Sequence, residues 1–390
     1  MSTVPPPTPP PLLPVQPPLP PVQGPLPLGG FPPTGEPRNG MAVAALVVGV
    51  LAFVACPIGA ILGLVALILG IIALGRARHL PRERGRRGTA VAGICLGGAA
   101  IVFWAGVLLP GVAYLRGLSI RAVCASNLSG IGMGMHTYCN DGREWGPTGR
   151  YAQPSGSPPS PTGVSFIGQM GADYTVPVPE SGASAVHPSR SLFLLVIDGT
   201  CTPKQFMCPS SGDSEDDLRN TVGGVQRASR PGVDRFDFKG YPFLSYGFQF
   251  PFGRMAQPDE RLDARVVLVA DKGPFFKAGT PRSDGTVPDQ IIGTPGSRLS
   301  IAGATQAAQL LKLGNKRWRP YNSRNHNQDG QNILFADAHV EFVKKPIVGV
   351  NYDNIYTVQG PEYTLRDSML GHTPADKMGP FTDTDSVIVP

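Results

Sequence analysis

Residues 115–142 read LRGLSIRAVCASNLSGIGMGMHTYCNDG. Ile120, Cys124, Leu128, Ile131, Met135 and Tyr138 recur at steps of four, four, three, four and three. That spacing puts all six on one face of an α-helix, and Asn140-Asp141-Gly142 supplies a stop. The residues just before it, 89–115, form a charge-free run long enough to span a bilayer, with Trp104 and Tyr114 placed as interfacial anchors. A span that continues into an amphipathic helix is therefore predicted, and that helix needs a folded partner to cover its stripe.

The partner is legible downstream. "YPFLSYGFQFPF" (241–252), "ARVVLVADKGP" (264–274), "NILFA" (332–336) and "HVEFV" (339–343) are rich in β-branched and aromatic residues and bounded by turn formers, so they are predicted strands. "SLFLLV" (191–196), closed by Asp198-Gly199, is predicted as a short helix or strand. Residues 146–187 have the Pro, Gly and Ser content of an irregular loop. The expected class is α+β, with a long helix packed on a mostly antiparallel sheet. The tail, 346–390, is expected to be irregular or short-stranded.

Upstream, residues 41–74 contain no charge, and as one helix they would measure about 50 Å against a hydrocarbon core of about 30 Å. Cys56-Pro57-Ile58-Gly59 falls at the midpoint, where a hairpin of two short helices would turn; a single tilted span is the alternative. Residues 75–87, GRARHLPRERGRR, carry six Arg against one Glu between the apolar segments. Such a loop is retained in the cytoplasm, which would place residues from 116 onward outside and, for a hairpin, residues 1–39 inside. That arm holds sixteen Pro, too many for helix or sheet. It is either a spacer or a ligand for an aromatic groove. The net charge of +6 is concentrated in the Arg-rich loop, and no basic surface interleaved with aromatics favours a nucleic-acid partner. A Pro-rich arm in place of a short charged region predicts no cleaved signal peptide, so the anchor is expected to stay attached.

Residues 40–115, through "GMAVAALVVGVLAF", the Cys-Pro break, "GLVALILGIIALGRAR" and "GTAVAGICLGGAAIV", resemble a small bacterial Gly/Leu-rich membrane-anchor family of unknown function. Residues 116–345 resemble the pseudopilin-like, prepilin-processing-associated family named for a His, nine residues, then Asp-Gly. The match is carried by Cys124, Asn127 and Leu128, by Cys208-Pro209 in "CTPKQFMCPSS", by Tyr246 in "LSYGF", by Asp271 in "LVADKGP", and by His326, Asp337 and His339. It implies a pilin-like fold and an extracytoplasmic location, with no known activity. Here ten residues separate His326 from Asp337, and Ala338 replaces the Gly. Gly30-Phe31 is followed by Pro32-Pro33, with Glu36 one place late, so processing by a prepilin peptidase is not expected.

His326, Asp329, Asp337 and His339 admit two readings: a metal cluster or base–orienter pair, or successive turns in which Asp329-Gly330 and Asp337-Ala338 reverse the chain. The turn reading is the expectation. "SSGDSEDDLRN" (210–220) offers Asp213, Glu215 and Asp217 as weak calcium candidates but lacks the Gly and distal Glu of an EF-hand loop. Cys124, Cys139, Cys201 and Cys208 all fall on the expected exterior, where disulfides persist. On one helix Cys124 and Cys139 would stand about 22 Å apart, so full pairing would join Cys124 to Cys201 or Cys208 and Cys139 to the other; free thiols are the alternative.

No nucleophile elbow, phosphate loop or metalloprotease helix occurs. The expected function is non-enzymatic, without a cofactor: a membrane-anchored, pseudopilin-like component of envelope assembly or of a secretion-like apparatus, with membrane lipid and envelope proteins as partners. The alternatives are a ligand- or calcium-binding sensor ectodomain and an exterior hydrolase using His326 with Asp337 or Asp271.

Overall fold

The computed structural model describes residues 40–54, 58–77, 87–141, 165–177, 187–252, 255–256, 258 and 262–390. The Pro-rich arm, Gly30, Phe31 and Glu36, the Cys56-Pro57 break, most of the Arg-rich loop and most of 146–187 lie outside the described residues. The chain forms two compact units, 1–111 and 112–390.

The first unit contains helices α1 (Gly40–Val54), α2 (Gly59–Ala77) and the beginning of α3 (Arg87–Asn140). Their order of contact gives the topology. Ala45 meets Gly93, and the Trp104 indole N–H donates to the Ala52 carbonyl at 2.7 Å, so α1 and α3 run parallel. Gly70 meets Ala90 and Ile94, and Gly63 meets Gly97, so α2 runs against both. A Cβ on Gly97 would lie 2.6 Å from the Gly63 carbonyl oxygen; only glycine lets these backbones approach so closely, the small-residue packing that holds apolar helices together. Val102, Phe103, Val107 and Leu109 face outward. Two of the helices are long and apolar enough to cross a membrane, which suggests membrane anchoring.

In the second unit, α3 continues past Pro110 to Asn140. Cys124, Leu128, Ile131 and Met135 are completely buried, with Ile120 and Tyr138 packed at the ends of the stripe. After it come α4 (Ser189–Ile197), β1 (Arg219–Val222), β2 (Val225–Ala228), β3 (Tyr246–Gln249), β4 (Val267–Asp271), β5 (Phe276–Ala278) and β6 (Asp289–Ile291). The chain continues through α5 (Ala307–Lys312), α6 (Asn315–Trp318), β7 (Gln331–Phe335), β8 (Val340–Val343), α7 (Leu365–Leu370) and β9 (Ile388–Val389). Five strands form one antiparallel sheet in the order β8-β7-β4-β3-β9. The expected α+β class is the observed one. Two small hairpins, β1–β2 and β5–β6, were not anticipated.

The sheet is covered on both faces. Leu268, Val269 and Leu334 join the core that buries the α3 stripe, while Val267, Ala270, Ile333 and Phe335 pack with Ile355, Tyr356 and Ile388. Successive strand residues alternate faces, and a bulge between Val267 and Val269 resets that alternation in β4. The C-terminal segment is thus part of this unit: β9 pairs with β3, with Phe248 opposite Val389.

The β7–β8 connection differs from a two-residue turn. Phe335 and His339 are joined by a backbone hydrogen bond, leaving the three-residue loop Ala336-Asp337-Ala338. Only Ala338 has positive φ (+68°). A type I′ turn needs two such residues; a three-residue loop needs one, at the position Ala338 occupies.

Candidate functional site

Three segments converge on α3 at Cys124. Cys124 comes from the buried stripe of α3. Cys208 follows the short 3₁₀ turn Pro203–Phe206, Asp271 ends the central strand β4, and His326 lies in the turn Asn325–Gln328. All four are buried, and each offers a donor atom within 4.8 Å of the others'. Cys124 Sγ lies 2.7 Å from Cys208 Sγ, Cys208 Sγ 3.6 Å from His326 Nε2, and His326 Nε2 3.3 Å from Asp271 Oδ2.

Local geometry delivers each group. The Asn127 side-chain amide donates to the Met207 carbonyl at 2.8 Å and reaches the Tyr246 hydroxyl at 3.4 Å, clasping the chain one residue before Cys208 to the helix one turn after Cys124. Leu128 is wholly buried beside it, whereas Pro209 is exposed. Three consecutive residues, His326, Asn327 and Gln328, adopt positive φ (53°, 56° and 61°). Asn and His tolerate that region best among non-glycine residues. The reversal turns His326 inward, and its backbone N–H donates to Ser210 Oγ at 3.0 Å.

The carboxylate is held as tightly. Asp271 Oδ1 accepts from the Asn325 amide at 3.0 Å, and Oδ2 accepts from the Asn332 backbone N–H at 2.7 Å. The Tyr356 hydroxyl donates to the Asp271 backbone carbonyl at 2.8 Å. Burial opposes charge on His326, but the hydrogen bonds and charges of Asp271 and Cys208 more than offset it, and the imidazole is raised to about 9. The Cys208 thiol is driven far upward by its contact with Cys124 and by burial.

These facts decide which chemistry fits. In a Cys-His-Asp relay the carboxylate orients one imidazole nitrogen while the other activates the sulfur. Here Cys208 and Asp271 both address Nε2. A reactive cysteine also needs an accessible, lowered thiol, and Cys208 is buried and raised. The donor set instead matches a ligand cluster or a thiol pair able to close a disulfide.

The other residues singled out in the sequence lie elsewhere. Asp337 pairs with His339 across the exposed β7–β8 loop, and neither joins His326; the carboxylate beside His326 is that of Asp271. Asp329 pairs with Arg319 at 3.3 Å. Asp213 is taken by the Lys272 ammonium at 3.0 Å, Asp217 by Lys239 at 2.9 Å, and Glu215 is exposed, so the three calcium candidates do not converge. Cys201 packs over Gly130 and Gly134. Cys139 lies near the end of α3. Cys124 is the helix cysteine that meets Cys208. The contributions of Asn325 and Asn332 were not foreseen; the Asn-rich run "NSRNHNQ" was the available signal for Asn325, and Asn332 lies outside it at the start of β7.

Residues 41–107 match the family described as a domain of unknown function, DUF4190. No curated protein and no solved structure gives a match.

Proposed function

We propose that this chain is a membrane-anchored, pilin-like scaffold protein whose folded unit lies outside the cytoplasmic membrane and serves envelope assembly or a secretion-like apparatus without catalysing a reaction. The observation that carries this reading is α3: one helix contains the apolar segment 89–115 and then, four residues on from Ile120, buries Cys124, Leu128, Ile131 and Met135 in the core of the second unit. A helix that is both anchor and core element is the pilin-like design, and it couples the fold of the unit to the membrane.

Two further observations support it. The outer face of α3 keeps Leu115, Leu118, Val123 and Met133 exposed, Met133 at 63%. In a pilin-like assembly such a face is where subunits meet. The orientation of Cys208, His326 and Asp271 does not suit nucleophilic catalysis, and the Lys partners of Asp213 and Asp217 disfavour a calcium sensor at that loop.

The test is photo-crosslinking in intact cells with a photoreactive residue at Met133 or Val123, combined with a reporter fused after Pro390. Crosslinks to copies of the chain or to envelope proteins, with the reporter active outside, are expected. An uncrosslinked monomer in native membranes, or a cytoplasmic reporter, would overturn the proposal.

A further inference from the structure

We propose that Cys124, Cys208, Asp271 and His326 bind one thiophilic divalent cation, with Zn²⁺ as the type case. Two thiolates, an imidazole and a carboxylate are a mixed set suited to four-coordinate zinc. Bond lengths of roughly 2.0–2.3 Å place neighbouring tetrahedral donors about 3.3–3.8 Å apart. The Asp271–His326 and His326–Cys208 edges, at 3.3 and 3.6 Å, already have that length. The Cys124–Cys208 edge, at 2.7 Å, must open by about an ångström, which a small side-chain rotation of one cysteine provides.

The surroundings fit a ligated ion. Asn325 and the Asn332 backbone orient the Asp271 carboxylate, as outer-shell groups do in metal centres. The Asn332 side-chain amide lies 3.0 Å from His326 Nε2 and 3.4 Å from Asp271 Oδ2, so it can keep the carboxylate when the ring nitrogen turns to the ion. Asn332 Oδ1, in the same buried cluster, has no hydrogen-bond partner among the described residues. A cavity of about 220 Å³, lined by Ser210, Gly117 and Arg121 among others, borders the cluster at His326.

On binding, each thiol and the His326 ring lose a proton to solvent, so the ion meets two thiolates and a neutral imidazole. The two thiolates and the carboxylate then face the dipositive ion. A disulfide would satisfy only the two sulfurs and leave His326 beside a sulfur that neither donates nor attracts a proton strongly. The ion would instead tie α3, β4 and the two loops at a single point, and its site is independent of any assembly partner.

The full-length protein, reduced and solubilised in detergent, is freed of metal and given Zn²⁺ or Co²⁺ alone. The expected result is about one ion retained per chain. Co²⁺ should give thiolate charge-transfer absorption with the intense visible bands of tetrahedral coordination. Cys208→Ser and His326→Ala should lower retention at least tenfold, while Cys139→Ser should not. Absence of the thiolate–cobalt spectrum in the wild-type protein overturns the proposal even where a variant fails to fold. A Cys124–Cys208 disulfide found in the freshly isolated, unreduced protein overturns it as well.

Discussion

The side-chain amide of Asn127 donates a 2.8 Å hydrogen bond to the carbonyl of Met207, eighty residues away, and so ties the helix to the loop that presents Cys208. Tyr246 reaches the same carbonyl at the longer distance of 3.5 Å. Replacing Asn127 by Ala leaves that oxygen with the weaker partner. Asn127→Ala is expected to cost about 1–2 kcal/mol, read as a lower melting temperature of the detergent-solubilised protein. An unchanged melt would mean that water replaces the amide at no cost.

Gly132 separates two opposing effects. Ala is favoured over Gly in a helix interior by about 1 kcal/mol. A Cβ at Gly132, however, would lie 2.9 Å from Leu334 Cδ1 in the closed core, where overpacking costs about 1–3 kcal/mol. Gly132→Ala should therefore destabilise. Gly117→Ala, whose Cβ would meet nothing within 4 Å among the described residues, should stabilise by up to about 1 kcal/mol. Melts of the two variants side by side check the opposite signs.

Ala338 holds φ at +68° on a partly exposed loop. That conformation costs an L-residue roughly 1–2 kcal/mol, and glycine removes this cost while losing about 0.5–1 kcal/mol in unfolded-chain entropy. Ala338→Gly is expected to stabilise by about 0.5–1 kcal/mol. Destabilisation would show that the Ala338 methyl contributes packing which outweighs the strain.

Asp385 and Asp353 are both buried, and Asp353 is raised by that burial and then by the charge of Asp385. Burial raises Asp385 from its ordinary 3.8 to about 7, against the hydrogen bonds it accepts from the Phe381 and Gln359 backbones. A raised acid binds its proton more tightly in the folded state. Its contribution is therefore complete below about 3.8 and is lost as pH rises through about 7. His187, lowered to about 4 by burial, acts in the opposite sense: its contribution is present above 6.5 and lost as pH falls through about 4. The difference between wild type and Asp385→Asn reports on the Asp353–Asp385 pair, since removing Asp385 also relieves Asp353. Wild type should lose stability relative to the variant across that rise in pH; parallel pH profiles would contradict the assignment.

Much of the architecture was visible along the chain because its signals are local. The stripe from Ile120 to Tyr138 needs only the helical repeat. The four main strands were found because each is a short β-branched or aromatic run between turn formers. Boundaries were less legible. Of 241–252, only Tyr246–Gln249 is strand, since Tyr241–Phe243 forms a 3₁₀ turn around Pro242. Ile388–Val389 is too short to announce itself without β3 as a template.

The candidate site was much less legible. His326, Asp337 and His339 are neighbours in sequence, yet the β7–β8 hairpin keeps Asp337 with His339 at the surface while the left-handed turn sends His326 inward to Asp271. Asp213 and Asp217 resemble cation ligands in one dimension, but Lys272 and Lys239 arrive from elsewhere to neutralise them.

The sequence by itself determined the charge-free helices, the amphipathic continuation of the last one and the α+β class, because hydrophobic burial and backbone periodicity act over a few residues at a time. Only the tertiary structure decided that Cys124 meets Cys208 and that Asp271 is the carboxylate beside His326. Those contacts join segments 84 and 55 residues apart. Strand order, the β4 bulge and the positive-φ turn set them, and none of these leaves a fixed spacing in the chain.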